Sequence, residues 1–212
     1  MTVFADRQEA GEQLANALIP YHLPQNTLVL ALPRGGVPVA AEIASKFQFP
    51  LEVFLVRKLG VPGHVEFAFG AVASGGVVYL NDDTIKMCGI TPKQIHEVLV
   101  VETAELERRE RVYRQHPFPD CRGRTLMLVD DGIATGATVT AGLLALRKLQ
   151  PAKIILATPV APRSTIEELK SLADTVVVLT SASNFMAIGQ FYEDFGQLSD
   201  EDVLRYLGRQ PD

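Results

Sequence analysis

Tryptophan is absent from this 212-residue chain, and cysteine occurs only at Cys88 and Cys121. The two show no CxxC pairing and are too few for a disulfide scaffold, so reduced thiols are expected. A basic excess is missing as well. Against 25 Asp and Glu stand 20 Lys and Arg, a net charge of −5, which argues against nucleic acid or an anionic membrane as partner. No apolar run approaches the roughly 20 residues that span a bilayer. The opening residues, MTVFADRQEA, lack a basic stretch followed by an apolar core, so no signal peptide is expected and cytoplasm is the default compartment. The patterns GxSxG, GxGxxG, GxxxxGKS/T and HExxH are also missing, which leaves hydrolase, dinucleotide and NTPase readings without their signatures. His22, His64, His96 and His116 form no metal-ligand spacing.

What is present is a chain that is 47% hydrophobic and 21% charged, enough for a folded core. Apolar runs of strand length alternate with stretches of helical period, which predicts an α/β fold with a doubly wound, mainly parallel sheet. Strands are expected at 27–32 (TLVLAL), 51–57 (LEVFLVR), 125–129, 153–158 and 175–179. Helices are expected from Asp6, at 37–47, from the Thr91 cap to about 114, at 137–149, at 164–172 and from Ser199. A β-rich stretch with a Ser-Gly-Gly turn covers 68–80. The division expected is a core over 1–182, with a flexible loop at about 58–70, and a C-terminal hood from Ser183 to Asp212. The run 105–114 alternates charge at helical spacing and reads as a solvated helix face.

The most informative segment is LMLVDDGIATGAT at 126–138. A buried strand would end at Asp130 and Asp131, and a turn of small residues would then open a helix. Ligands of open α/β sheets bind beyond the carboxyl ends of strands. Small residues let backbone amides approach a phosphate, the helix N-terminus adds a favourable field, and the Thr135 and Thr138 hydroxyls can donate as well. Two carboxylates would repel that phosphate and suit sugar hydroxyls, or a metal carried by the substrate.

This segment resembles the PRPP-binding motif of the type I phosphoribosyltransferases, with Gly132 in place of the usual aliphatic residue. The resemblance implies the fold of that family. It further implies that Asp130 and Asp131 contact the ribose hydroxyls and, indirectly, the magnesium carried by PRPP, and that Ala134, Thr135, Gly136, Ala137 and Thr138 cradle the 5-phosphate. Pro33, Arg34, Gly35 and Gly36, after the first strand, look like the family's pyrophosphate loop, with glycine permitting a strained backbone. A tight turn would need the same residues. Arg57 and Lys58, followed by LGVPGHVEF, resemble the lid that closes over the substrate; His64 and Glu66 are candidates to handle a proton there. A solvated hairpin is the plainer reading. Phe185, Phe191 and Tyr192 fall where the family places its acceptor hood, although an aromatic cluster also suits core or dimer contact.

The reaction implied is magnesium-dependent transfer of phosphoribosyl from PRPP to a nitrogen acceptor, a nucleobase, by a homodimer. Ala134 stands where the hypoxanthine-guanine type has an acid, which disfavours a 6-oxopurine. ATG and the Arg-Lys-x-Gly start of the lid look more like the adenine type, whereas PRGG and the tail do not. Two other readings stay open: a PRPP or nucleotide sensor without catalysis, and a sugar-phosphate hydrolase or phosphorylase on the same cradle.

Overall fold

The computed structural model describes residues 3–182 and 185–209, apart from the side chains of Val65 and Glu66. Ser183, the expected start of the hood, lies outside the described residues.

Helix α1 (Arg7–Leu18) starts where Asp6 accepts from the Glu9 amide. Glu9 reaches back to the amide of Ala5 rather than Asp6, so the reciprocal half of the cap is displaced by one residue. Strand β1 (Thr27–Ala31), helix α2 (Gly36–Phe47) and strand β2 (Leu51–Val53) form the first crossover unit. Strand β3 (Val56–Val61), β4 (His64–Ala73) and β5 (Val77–Leu80) build a separate antiparallel sheet. The short helix α3 (Asp82–Met87) leads to the long α4 (Pro92–Tyr113), closed by the Thr91 and Gln94 capping box. Then come β6 (Thr125–Val129), α5 (Ala137–Lys148), β7 (Lys153–Pro162), α6 (Arg163–Leu169), β8 (Thr175–Ala182) and α7 (Asp200–Tyr206).

The main sheet has the order β2-β1-β6-β7-β8, with all pairs parallel. Alternation divides its side chains between two cores. Val29, Ala31, Met127 and Val129 join Leu14 and Ile43 of α1 and α2. Leu28, Leu30, Leu126 and Leu128 join Leu143 and Leu146 of α5. Both faces are dry, which is why these strands read as unbroken apolar runs. Each fully buried Leu contributes about 1.5–3 kcal/mol. A third, smaller cluster gathers Phe4, Ala10, Val160, Phe191 and Tyr192 under the C-terminal segment. Among the described residues, no helix is long and apolar enough to cross a membrane.

The expected single strand 51–57 is corrected to two. It breaks after Val53, and β3 leaves the main sheet for the antiparallel one. Sequence pattern missed the break because Phe54 and Leu55 are buried on both sides of it and leave no polar punctuation. Helix α3 was also not expected, although Asn81 caps it on the Thr84 amide as an Asx residue does. The strand β7 runs four residues further than expected, because Val160 and Ala161 continue the ladder to Thr180 and Ser181 of β8.

Candidate functional site

Strands β1 and β6 lie side by side, with Ala31 opposite Val129. From β1 the chain crosses to β2 on one side, and from β6 it crosses to β7 on the other. The switch point therefore falls between them, where ligands bind in open α/β sheets. The PRGG turn and the acid pair leave this point together, so two segments almost a hundred residues apart become neighbours. Their contact is close enough to require glycine. A Cβ on Gly35 would stand 2.0 Å from Asp131 Oδ2, and one on Gly36 would stand 2.6 Å from the Val129 carbonyl. Gly35 has ordinary helical angles, φ −60° and ψ −35°, so what demands glycine at this position is close approach. The Pro33–Arg34 peptide is cis.

Asp131 is buried, and Arg7 of α1 donates to its Oδ2 at 2.7 Å. The same guanidinium lies 3.9 Å over the Phe195 ring and donates to the Gly196 carbonyl. From the other side, the Tyr192 hydroxyl donates to the Asp131 carbonyl at 2.5 Å. Asp130 accepts the Asp131 amide at 3.0 Å. Burial, and then repulsion from Asp131, holds the Asp130 carboxyl well above the usual carboxylate range. Asp131 is raised as well by burial, against the pull of Arg7. A buried acid beside a half-buried one, with Arg7 as the cation against Asp131, is a costly arrangement without a ligand. The pair suits magnesium arriving on a phosphate, which takes one or two carboxylates plus substrate oxygens. Among the described residues, no group of three or more His, Cys, Asp or Glu forms a metal cage.

Beyond the acids, Asp130, Ala134, Thr135, Gly136, Ala137 and Thr138 line a cavity of about 190 Å³ at the start of α5. Among the described residues, the amides of Thr135 to Thr138 donate to no backbone acceptor, as expected of a first helical turn. Gly136 takes φ 73°, and Thr165 of α6 fixes the turn by donating to the Ala134 carbonyl at 3.0 Å. Gly132 does not loosen this turn. A Cβ there would meet Ile188 Cγ2 at 2.4 Å, so the glycine makes room for the C-terminal segment to cover the cradle.

A larger cavity, about 410 Å³, opens on the other side of the acids between Arg34 and Gly35 and the end of α4. Arg108, Arg109 and Tyr113 form its far wall. The expected solvated face of 105–114 is thus only half right. Glu105 pairs with both arginines, at 2.7 and 2.8 Å, and they hold its carboxyl down at about 2. The next turn faces the site.

The remaining candidates are divided by the fold. Residues 56–73 form a paired β-hairpin, with Val61 opposite His64 and register shifts on both sides of Gly60. Arg57 meets Glu102 of α4 at 2.6 Å. Lys58, on the opposite face of the strand, has no ion pair among the described residues. His64 is exposed at the hairpin turn, and the Glu66 side chain lies outside the described residues. Phe191 and Tyr192 are buried in the small third core, and Phe185 packs on Phe191 at 5.3 Å between centroids. Those two buried rings are corrected from open hood to core: neither has a free face for a planar base.

Arg7, Tyr113 and Asp200 were missed. No local pattern marks Arg7, since its partner is 124 positions away. Tyr113 was hidden in a charge run.

A parallel sheet with two small-residue turns around paired acids at its switch point has the architecture in which open α/β domains bind ligands. The phosphoribosyl transferase domain model matches residues 7–195, and the chain belongs to that family. Two Mycobacterium tuberculosis proteins, Rv0571c of strain H37Rv and MT0597 of strain CDC 1551, carry provisional phosphoribosyl transferase names. Each is 42% identical over 210 residues, 99% of this chain and 47% of its own length. The chain thus spans about half the length of the curated relatives it matches. Among solved structures, TT1426 from Thermus thermophilus is similar at TM-score 0.89 and 40% identity, over 97% of this chain and 98% of that one. The expected family and its fold are borne out.

Proposed function

We propose that this chain transfers the 5-phosphoribosyl group of PRPP to a nitrogen acceptor, a nucleobase, with release of pyrophosphate. The observation that carries this reading is the seating of an acid pair between two anion-facing turns, PRGG and ATGAT, on adjacent strand ends. PRPP has the matching order of groups: phosphate, diol, diphosphate. Free amides at Thr135 to Thr138 receive the 5-phosphate, where the α5 N-terminus favours an anion. Asp130 and Asp131 accept from the ribose hydroxyls. Arg34 and the Gly35 and Gly36 backbone receive the diphosphate.

The bond from C1 to the diphosphate oxygen breaks, the electron pair leaves with the diphosphate, and the acceptor nitrogen bonds to C1. Positive charge develops on the sugar while negative charge develops on the leaving group, so the protein's contribution is electrostatic. Arg34 neutralises the departing diphosphate, and the nearby carboxylates oppose the sugar's charge. Magnesium arriving with PRPP, facing Asp130 and Asp131, would add positive charge at the leaving group. Lys58, two residues before the register shifts beside Gly60, joins this set if the whole hairpin closes over the diphosphate. Action as a cytoplasmic homodimer completes the reading, and exposed Val100 and Val101 on α4 supply an apolar face for self-association.

The test is incubation with PRPP, magnesium and a panel of bases, with pyrophosphate as the readout. Release that depends on one base supports the transferase. Release without a base identifies a hydrolase, and tight PRPP binding with no release identifies a sensor.

A further inference from the structure

The large cavity already contains an anion, supplied by the chain itself. Ser199 caps α7 by accepting from the Asp202 amide, so Asp200 is not needed for the cap. Its carboxylate instead meets Arg34 Nε at 3.1 Å, and the Tyr113 hydroxyl donates to the same oxygen. Arg34 commits a second donor, Nη1, to the Leu198 carbonyl at 2.7 Å. Both acceptors thus occupy charged Arg34 donors that a phosphate could take instead. Across the cavity stand Arg108 and Arg109, both paired with Glu105. Burial and Asp200 push the Tyr113 phenol up to about 12, so it stays a donor.

We propose that Arg34, Tyr113, Arg108 and Arg109 together form a diphosphate site, and that residues 198–200 occupy it as an internal stand-in which the diphosphate displaces. The inference rests on reading the Arg34 turn as the diphosphate contact and adds both the opposite wall and the competitor. The latch is suited to release. Arg34 and Asp200 are each about half exposed, at 52% and 46%, and such pairs are weak and screened by salt. A diphosphate brings more charge and more acceptor oxygens to the same donors. The C-terminal segment would then leave Arg34 as ligand enters, which couples its position to site occupancy.

Calorimetric titration with inorganic pyrophosphate and magnesium tests this on the full chain. Arg34→Ala is expected to weaken binding by about tenfold or more, the loss of a charged hydrogen-bond donor. Asp200→Ala is expected to tighten binding by roughly threefold to fivefold, the range of one exposed ion pair. Arg108→Gln with Arg109→Gln is expected to weaken it by at least about fivefold. If Arg34→Ala loses pyrophosphate while Asp200→Ala binds it no better than the parent, the stand-in is overturned and the reading of the Arg34 turn survives. If the double variant binds as the parent does, the α4 wall is overturned. A parent that does not bind pyrophosphate, or an Arg34→Ala variant that binds it unchanged, overturns the reading of the turn itself.

Discussion

Asp130, a ribose contact in the proposed function, opposes the stability of the fold. Its carboxyl is raised in the fold, chiefly by burial and then by the Asp131 charge. The protonated form is therefore favoured by folding, and stability is full below the unfolded value near 4. It falls as pH rises from there through the folded pKa. Asp130→Asn removes that ionisation while keeping an oxygen to accept the Asp131 amide. The variant is expected to melt about 2–4 °C higher than the parent at pH 8, on the order of 1 kcal/mol, with the gap closing towards pH 4. PRPP affinity, read by calorimetry, should drop by at least about tenfold, about 1.4 kcal/mol, the low end of what one lost charged hydrogen bond accounts for. A variant less stable at pH 8 would remove the electrostatic account. Gly35→Ala makes the steric counterpart. Its Cβ would be driven into Asp131 Oδ2, and the carboxylate would have to leave Arg7. Thermal unfolding should show a loss of about 1–3 kcal/mol, as overpacking does, together with loss of PRPP binding. Retention of both would mean that the acid is free to move.

At the scale of elements, the β3–β4 hairpin separates two roles that adjacent basic residues share in the sequence. Arg57 is anchored to Glu102 of α4, whereas Lys58 points from the other face of β3 with no ion pair among the described residues. Lys58→Ala is expected to lower kcat by about tenfold or more, roughly 1.4 kcal/mol of barrier, with a smaller change in PRPP affinity. Arg57→Ala should instead lower the melting temperature and keep kcat within about twofold, because its loss unties a half-buried surface pair worth about 1 kcal/mol or less. Steady-state kinetics on the best acceptor, beside a melting curve, resolves the two. Full kcat in Lys58→Ala makes the hairpin purely structural. The legibility of this element was partial. Glycine and proline at 60–63 correctly marked a turn, but pairing to β4, across residues 64–73, depends on a partner strand that local pattern does not name.

For the whole molecule, the C-terminal segment is tied to the core at both ends. Near its start, Tyr192 and Arg7 bind it to the acid pair. Near its end, Arg209 meets the buried Glu52 carboxylate at 3.0 Å and also donates to the Tyr113 carbonyl. Glu52, on β2, is almost wholly enclosed and takes Arg114 at 3.6 Å as its other strong cation. Removing one partner of a buried ion leaves charge uncompensated. Arg209→Ala is therefore expected to cost about 2 kcal/mol, a fall of roughly 4–8 °C in Tm by calorimetry. Because Asp200 is the first residue of α7, the same change should loosen the segment at Arg34 and raise protease sensitivity near 196–209. An unchanged Tm would show that Arg114 alone satisfies Glu52.

Local pattern was enough to set the order of the main-sheet strands and their crossover helices, the two turns at the switch point, and the family. Those features depend on period, on small residues and on caps, all of which act within a few positions. TLVLAL and LMLVDD announced buried strands because both sheet faces are covered, so no polar residue interrupts them. Three-dimensional packing was needed to bring Gly35 against Asp131, to place Arg7 on that acid, and to make Phe191 and Tyr192 core rather than hood. The same holds for Asp200 against Arg34. Each of these joins residues separated by a crossover or by most of the chain. Burial, electrostatic pairing and steric exclusion between them exist only once the sheet has set the distances.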